Sequence, residues 1–239
     1  MSPRGFRHEL KYLITFSEME LLRRRLSTIL KPDPHAENGT YLVRSLYFDD
    51  LFGGAYEEKL AGVSDRQKFR LRTYNGKDAP VLLECKYKKE NYIRKESAVL
   101  TREEAERLIS GDCTFLLKRK EPVCKETALA VLMSGLRPVV LVDYDRLPLI
   151  MEEGTVRITF DMDVRAGYSG LELFEEKGRG PFFRVLEEGS LILEVKFTEF
   201  LPQIITDLLG ACGACQIAAS KFVLCENVRR AHQGLEVLT

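Results

Sequence analysis

The chain has 239 residues, of which 45% are hydrophobic, so it can bury one substantial core. Its 36 basic and 36 acidic residues cancel, which excludes the global positive field of a general nucleic-acid or membrane-surface binder. We therefore expect a single domain over residues 1–239, in which any preference for anions depends on the local arrangement of charge.

The N-terminal segment Met1–Lys11 is rich in charged residues and has no apolar run behind it, so it predicts neither a signal peptide nor a membrane anchor. No stretch of the sequence approaches the roughly 18 apolar residues of a membrane-spanning helix. We expect a cytoplasmic protein without direct membrane insertion, and a membrane-protein partner stays open.

Six cysteines are spaced irregularly and do not indicate a disulfide framework. The one suggestive spacing is Cys212–Cys215, but the three histidines are scattered along the chain, whereas a zinc site needs further ligands nearby. We interpret the cysteines as small buried thiols, with a metal or redox role as the alternative.

Capping signals predict two of the helices. Ser17 with Glu20, and Thr101 with Glu104, each have the spacing of a capping box. The predicted helices are Ser17–Leu30, Thr101–Ile109, Lys125–Ser134, Leu201–Leu209 and Ser220–His232. The predicted loops are Lys31–Gly39, Asn75–Ala79 and Gly167–Pro181. Nearly everything between them has the pattern of strands.

These strands alternate between apolar and charged residues with a period of two. In the segment after Pro80, for example, Val81, Leu83 and Cys85 alternate with Glu84 and Lys86. The same alternation places the following pairs on shared faces: Glu9 with Lys11, Arg70 with Arg72, Tyr144 with Arg146, Arg157 with Asp161, and Glu194 with Lys196.

One interpretation of this alternation is an antiparallel sheet with one solvated face. The other is a closed barrel with the charged face inside, because the polar positions are mostly Arg, Lys, Glu and Asp rather than Ser, Thr, Asn and Gln. We favour the second interpretation: an α+β fold in which an antiparallel closed β-barrel forms a tunnel with a charged interior and helices packed on the outside.

A cationic interior implies an anionic occupant, because burying like charges without counter-charge is prohibitive. Linear phosphate chains fit such an interior, since Arg binds two phosphate oxygens at once and Lys supplies a point charge. The carboxylates on the same faces either pair with these cations or hold a divalent metal such as Mg²⁺ or Mn²⁺ together with substrate phosphates. The sequence has no Gly-rich phosphate loop, no dinucleotide fingerprint and no nucleophile–base set.

The order of several short motifs resembles the VTC domain, the polyphosphate polymerase domain of vacuolar transporter chaperone complexes, within the triphosphate tunnel metalloenzyme (CYTH-like) superfamily. The resemblance covers roughly Arg7–Ala231, and only the order of the motifs along one chain makes it specific. The motifs are Arg7–Tyr12, Arg44–Asp49, Lys68–Arg72, Leu83–Lys86 with Lys95, Asp143–Arg146, Arg157–Asp161, Leu193–Phe197 and Ser220–Phe222.

The resemblance implies that ATP is bound in the tunnel with its triphosphate on the basic wall. The residues expected to act on the transferring phosphate are Arg70, Arg72, Lys86 and Arg146. The residues expected to bind the substrate are Lys11, Lys88, Lys95, Tyr144, Arg157, Lys196, Ser220 and Lys221. Some family members have a histidine in place of Lys88. Glu194, with Glu9, is the expected ligand of Mn²⁺ or Mg²⁺.

The implied activity is that of a phosphotransferase, an ATP-dependent polyphosphate polymerase. One alternative is a hydrolase of inorganic or nucleoside triphosphate, and another is a non-catalytic polyphosphate sensor. The Ser220–Phe222 motif favours the polymerase, and Glu194 argues against a pure sensor, because a carboxylate adds little to polyanion binding. Nucleic acid is not an expected partner, and the sequence leaves the oligomeric state open.

Overall fold

The computed structural model describes residues 8–36, 39–77, 80–89, 92–168, 170–175, 181–198, 200–211, 213–218 and 220–238. The chain divides into two compact units. Unit 1 comprises residues 1–42, 144–164 and 186–220, and unit 2 comprises residues 43–143, 165–185 and 221–239. The expected single domain over residues 1–239 stays a prediction.

Unit 1 is built on antiparallel strands that lie in the order β11, β1, β10 and β8. Their apolar faces pack against helices α1 and α5 in a core that includes Leu22, Phe160, Leu193 and Ile205. The elements with all or most of their residues in this unit are β1 (His8–Thr15), α1 (Phe16–Leu26), β2 (Lys31–Pro32), β7 (Arg137–Met151), β8 (Val156–Gly167), β10 (Ser190–Phe197), α5 (Gln203–Gly210) and β11 (Cys215–Gln216).

Unit 2 is built on antiparallel strands in the order β3, β4, β5 and β6. Their apolar faces form a second core with helices α3 and α4, which includes Phe69, Leu83, Leu108 and Val123. The elements of this unit are β3 (Tyr41–Asp49), α2 (Gly54–Leu60), β4 (Arg66–Tyr74), β5 (Val81–Lys89), β6 (Tyr92–Leu100), α3 (Arg102–Ile109), α4 (Pro122–Ser134), β9 (Phe183–Arg184) and α6 (Lys221–His232).

The strands form a large antiparallel sheet in an α+β fold, as the alternation predicted. Hydrogen bonding links them in the order β11-β1-β10-β8-β7-β3-β4-β5-β6. Within the described ranges, no hydrogen bonds join the two ends of this order. The strand pairing therefore does not show the closed barrel that the sequence predicts.

The helix predictions are confirmed in position and corrected at their ends. The capping box of Thr101 and Glu104 is present at the start of α3. Helix α1 begins earlier than predicted, because Thr15 and Glu18, rather than Ser17 and Glu20, form its capping box. Helix α4 begins at Pro122. Proline fits the first turn of a helix because the N–H group that it lacks would have no hydrogen-bond acceptor within the helix at that position.

Helix α2 was not predicted from the sequence, because its cap lies outside the usual spacing. Gly53 precedes it in a left-handed conformation with φ of 80° and provides no side-chain cap. Instead, the carboxylate of Asp49, at the end of β3, accepts hydrogen bonds from the backbone N–H groups of Ala55 (2.8 Å) and Tyr56 (3.1 Å).

A buried ion pair joins β3 to β7 within unit 2. Arg44 is fully buried, and its Nε donates to the Asp143 carboxylate at 2.7 Å. The Nη1 atom of Arg44 also donates to the backbone carbonyls of Glu172 and Glu175. Arg165 donates to the second carboxylate oxygen of Asp143. One buried carboxylate thus pairs with two guanidinium groups, and these hydrogen-bonded pairs lower the cost of burying the charges.

Replacing Asp143 with Asn is expected to lower the free energy of unfolding by about 3–5 kcal/mol, because two arginines lose their buried counter-charge. Chemical denaturation of the purified variant measures the change. Asp65→Asn, at an exposed position before β4, is the control and is expected to have little effect. Equal stability of both variants and the native chain would contradict the role of Asp143 as the buried counter-charge of the two arginines.

Candidate functional site

The charged face of unit 2 is centred on Glu84, whose side chain is buried among cations. Arg70 donates to the Glu84 carboxylate from Nε at 2.8 Å, and its Nη2 lies 2.7 Å from the same oxygen. The Nε of Arg72 lies 3.8 Å from that oxygen, and Lys95 donates to the other one. The antiparallel register places Arg70 opposite Glu84, so strand pairing itself brings these groups together.

The cations change the protonation behaviour of this face. Burial alone would raise the pKa of Glu84, but Arg70, Arg72 and Lys95 outweigh it and lower that pKa to about 2. Burial would likewise raise the pKa of the Tyr47 hydroxyl, but the charges of Arg70 and Arg72 outweigh burial and lower this pKa overall. Glu84 is therefore ionised at neutral pH.

Two uncharged groups fix the arginines further. The hydroxyl of Tyr47 accepts a hydrogen bond from Arg70 Nη1 at 2.8 Å, and the hydroxyl of Ser45 accepts one from Arg72 Nε at 2.9 Å. Neither residue was among the predicted site residues. Both lie within the quoted motif Arg44–Asp49, where alternation along β3 places Ser45 and Tyr47 on the same face.

The other predicted cations of unit 2 share this face. Lys86 lies opposite Lys95 in the pairing of β5 with β6, and Lys88 lies opposite Arg66 in the pairing of β4 with β5. Burial, followed by the charges of Arg66 and Lys86, lowers the pKa of Lys88. The pairing registers thus place Arg70, Arg72, Lys86, Lys88 and Lys95 on one face. Their roles toward a substrate stay predictions.

Lys221 is the first residue of α6, and it is only 8% exposed. Lys221 is therefore a buried lysine and not a solvated surface residue. Its neighbour Phe222 lies 5.1 Å from the Tyr47 ring and under Lys68, whose Nζ is 4.5 Å from the ring centroid. The first turn of α6 therefore contacts the charged side of β3 and β4, which corrects the expectation that all helices pack on the outside of the sheet.

The charged face of unit 1 is centred on Arg146. Its guanidinium makes a bidentate pair with Asp161, with distances of 2.6 and 2.7 Å, and its Nη2 lies 3.4 Å from Glu194 Oε2. Burial would lower the pKa of Arg146, but Asp161, Tyr144 and Glu194 raise it well above its usual value. Its charge is therefore permanent and its orientation is fixed.

The predicted metal ligands lie on the same face. Lys11 is opposite Glu194 in the pairing of β1 with β10, and Glu9 is opposite Lys196, so the two glutamates are diagonal neighbours. Lys196 donates to Glu194 at 2.8 Å, while Lys11 lies 3.1 Å from Glu9 and 3.8 Å from Glu194.

Among the described residues, no three His, Cys, Asp or Glu side chains form a cluster that could hold a metal. Two carboxylates on one face still fit Mg²⁺ or Mn²⁺, because Mg²⁺ is typically bound by one or two carboxylates together with substrate phosphates. The donor set therefore suits a metal that arrives with its substrate rather than one enclosed by protein ligands alone.

The remaining predicted residues have more varied positions. Tyr144 is buried, and its ring centroid lies 5.2 Å from the Arg146 guanidinium. Arg157 lies on the charged face opposite Lys196, but its Nη2 donates to Asp33 at 2.7 Å and to Tyr41 at 2.9 Å. Ser220 immediately precedes α6.

The cysteines agree with the prediction of buried thiols where they are described. Cys85, Cys113, Cys124 and Cys225 are free and buried. Burial raises the pKa of the Cys85 thiol to about 12 and that of Cys124 to about 11, so both stay protonated at neutral pH. Cys212, the first member of the suggestive pair, lies outside the described residues.

Among the described residues, no helix combines the length and the apolar character needed to cross a membrane.

Solved structures share this α+β fold at low sequence identity. A candidate adenylyl cyclase from Hippeastrum, described as having a dominant triphosphatase activity, is 18% identical, with a TM-score of 0.53 and coverage of 97% of this chain and 96% of its own. A candidate adenylate cyclase from Bacillus halodurans is 14% identical, with a TM-score of 0.55 and coverage of 90% and 94%. The PH1012 protein from Pyrococcus horikoshii is 14% identical, with a TM-score of 0.51 and coverage of 91% and 98%.

These structures show that the α+β fold of this chain recurs in other proteins. The model of the VTC domain matches residues 6–228, and the chain belongs to that family. The resemblance indicated by the order of the motifs is therefore confirmed. A comparison with curated proteins found no match.

The stability of the chain in acid is expected to depend on Glu84. Because its folded pKa of about 2 lies below the ordinary value of 4.5, its contribution is present above about pH 4.5 and is lost as the pH falls toward 2. The stability gap between the native chain and Glu84→Gln should therefore shrink by roughly 3 kcal/mol over that range.

Denaturant unfolding at a series of pH values measures this gap. Glu103→Gln, at an exposed glutamate in the first turn of α3, is the matched control, and its gap to the native chain should change much less. A gap for Glu84→Gln that stays constant with pH would show that the cations do not hold this carboxylate ionised.

Proposed function

We propose that the chain is a metal-dependent polyphosphate polymerase, which transfers the γ-phosphate of ATP to a growing polyphosphate chain inside a tunnel of charged side chains. The observation that carries the proposal is the buried Glu84 carboxylate surrounded by Arg70, Arg72 and Lys95. Closure of the sheet into a tunnel is part of the proposal, and so is a cytoplasmic location. Membership of the VTC domain family supports it.

In unit 2, the carboxylate orients the arginines without cancelling the charge of the face. Glu84, Tyr47 and Ser45 hold the guanidinium groups of Arg70 and Arg72 in place. Guanidinium groups that are already oriented stabilise charge on a transferring phosphoryl group without reorganising during the reaction. Lys86 and Lys95 add point charges for the remaining phosphate oxygens.

In unit 1, Arg146 is the permanent cation and the two glutamates are the acidic part of the site. The Asp161 pair aligns Arg146, while Glu194 and Glu9 would hold Mn²⁺ or Mg²⁺. A bound metal would supply charge neutralisation at the phosphate oxygens. Lys11 and Lys196 lie beside these carboxylates and would contact the same phosphates.

The reaction needs no protein nucleophile. A terminal phosphate oxygen of the acceptor chain attacks the γ-phosphorus, the new P–O bond forms in line with the β–γ bridging bond that breaks, and ADP leaves. The contribution of the side chains is positioning and charge neutralisation. Water in place of the acceptor turns the same site into a triphosphatase, and the activity described for the Hippeastrum relative favours this second candidate.

The product distinguishes the two candidates. The purified chain is incubated with ATP and either Mn²⁺ or Mg²⁺, and long phosphate chains are separated on a gel while free phosphate is measured in the same sample. Long chains support the polymerase, and free phosphate alone supports the triphosphatase. Binding of polyphosphate without turnover of ATP would support the sensor.

Replacing Glu194 with Gln is expected to abolish metal-stimulated turnover while triphosphate binding is retained. The amide keeps the shape of the side chain but removes the charge that a divalent cation requires. Turnover is measured against metal concentration, and triphosphate binding is measured by calorimetry. Glu187→Gln, at an exposed position of the same unit, is the control. Equal metal stimulation in Glu194→Gln and the native chain would remove Glu194 from the metal site.

Replacing Lys221 with Met is expected to shorten the product and to lower synthesis more than it lowers phosphate release from ATP. Met keeps most of the buried side-chain volume and removes the charge at the first turn of α6, where a phosphate is favoured. Chain length and free phosphate are measured in one reaction, with the exposed Lys120→Met as control. A parallel fall in both would assign Lys221 to the ATP triphosphate, and no change would remove it from the site.

A further inference from the structure

Thr159 is a buried threonine on the charged face of unit 1. It lies in β8 between Ile158 and Phe160, which belong to the core of this unit. Successive side chains of a strand point to opposite faces, so Thr159 shares the charged face with Arg157 and Asp161. It is 0% exposed, and it was not among the predicted site residues. A neutral hydroxyl is therefore enclosed within a face of charged groups.

The Thr159 hydroxyl has no hydrogen-bond partner among the residues that the structure describes. The Nε atom of Arg157, two residues earlier on the same face, is also buried without a partner in that part of the chain. Buried polar side-chain atoms are nearly always hydrogen-bonded, because a buried hydroxyl without a partner loses its hydration and gains nothing in return. Two such atoms at adjacent positions of one face indicate that a group from outside the chain completes their hydrogen bonding.

The pairing registers place Thr159 directly opposite Glu194. Lys11 lies opposite Glu194 on the other side, so the row across β1, β10 and β8 contains a cation, a carboxylate and a hydroxyl in that order. Ion pairs join Glu194 to Lys11, Lys196 and Arg146. Thr159 is therefore the uncharged neighbour of this carboxylate within its own row.

The charge of Glu194 determines which group suits the hydroxyl. A phosphate oxygen between Thr159 and Glu194 would be repelled by the carboxylate, whereas a divalent cation would be attracted to it. Mg²⁺ usually keeps several waters when one or two carboxylates bind it. A water bound to the cation donates hydrogen bonds, and the hydroxyl oxygen of threonine has two lone pairs that can accept them. A hydrated cation therefore suits this position better than a phosphate.

We propose that Thr159 is a positioning residue for the divalent cation at Glu194, and that its hydroxyl oxygen accepts a hydrogen bond from a water molecule bound to that cation. This inference rests on the proposed function and deepens it, because it adds a neutral group to the carboxylates of Glu194 and Glu9. Groups that contact a metal through its ligands change metal affinity by about 10- to 100-fold when they are removed. Thr159 thus acts on the metal and not on the phosphates.

The test separates metal binding from phosphate binding. Calorimetry measures the affinity of the full chain for the β,γ-methylene analogue of ATP, which cannot transfer its γ-phosphate, with saturating Mn²⁺ and with a chelator. The ratio of the two affinities is the metal dependence of binding. In Thr159→Val, which keeps the shape of the side chain and removes the hydroxyl, this ratio is expected to fall about tenfold. The affinity measured with the chelator should match that of the native chain.

Stability without metal gives a second readout. Removing a buried hydroxyl that lacks a partner in the described part of the chain relieves a desolvation cost. With a chelator present, Thr159→Val should therefore unfold at the same or a higher denaturant concentration than the native chain. The matched control is Thr73→Val, at an equally buried threonine of β4. The Thr73 hydroxyl donates to the Leu173 carbonyl at 3.3 Å, so this variant should lose stability and keep its metal dependence.

Two further variants complete the test. Thr159→Ser keeps the hydroxyl and should keep most of the metal dependence, which separates loss of the hydroxyl from a change in packing. Thr159→Ala also removes the hydroxyl and serves if Thr159→Val does not fold.

The outcomes separate the two proposals. An unchanged ratio in Thr159→Val, or an equal fall in Thr73→Val, would overturn the inference while the proposed function stands. A loss of affinity that is equal with Mn²⁺ and with the chelator would assign Thr159 to the phosphates and also overturn it. A stability loss as large as that of Thr73→Val would show that the hydroxyl is bonded within the fold, which contradicts the inference as well. Failure of Mn²⁺ to strengthen binding by the native chain would overturn the metal dependence of the proposed function.

Discussion

The structure depends on neutralising charge that its strands bury. Alternation along β5 sends Leu83 and Cys85 into the core of unit 2 and Glu84 to the opposite face, yet Glu84 is only 1% exposed. A carboxylate so deeply buried is tolerated because two guanidinium groups and an ammonium group surround it. Asp161 with Arg146 in unit 1 follows the same rule. Each pair also holds an arginine in one orientation, so the ion pair that permits burial of the carboxylate also positions the guanidinium group.

The period of two made the strands and their charged faces predictable, because it requires only that each strand have one apolar and one polar side. The pairing registers place Lys11 opposite Glu194 and Arg70 opposite Glu84. Alternation along each strand does not specify these registers. Helix α2 could not be predicted, since its backbone N–H groups are capped by Asp49, several residues upstream at the end of a strand.

The role of Arg44, on the apolar face of β3, could also not be predicted from the sequence. Arg44 shares a face of β3 with Leu46 and Phe48, so its position predicts a core residue, and the sequence does not show that Asp143 lies beside it. Its partner is 99 residues away along the chain. Ser45 and Tyr47 are not predictable for the opposite reason, since they lie on the charged face but carry no charge. Only their hydrogen bonds with Arg72 and Arg70 show that they hold those guanidinium groups in place.

The two units divide the charge unequally, although the whole chain is neutral. The pairing registers of β4, β5 and β6 place seven basic residues on the same face as the Glu84 carboxylate. These residues are Arg66, Lys68, Arg70, Arg72, Lys86, Lys88 and Lys95. On the charged face of unit 1, the basic residues Lys11, Arg146, Arg157 and Lys196 lie with the acidic residues Glu9, Asp161 and Glu194, and Arg157 also pairs with Asp33. A strongly cationic face attracts a polyanion such as a phosphate chain. A nearly balanced face suits phosphate together with a divalent cation, since its carboxylates would otherwise oppose the polyanion. In the proposed reaction, Arg70 and Arg72 of unit 2 neutralise charge on the phosphate, whereas Glu9 and Glu194 of unit 1 are the carboxylates that a divalent cation requires.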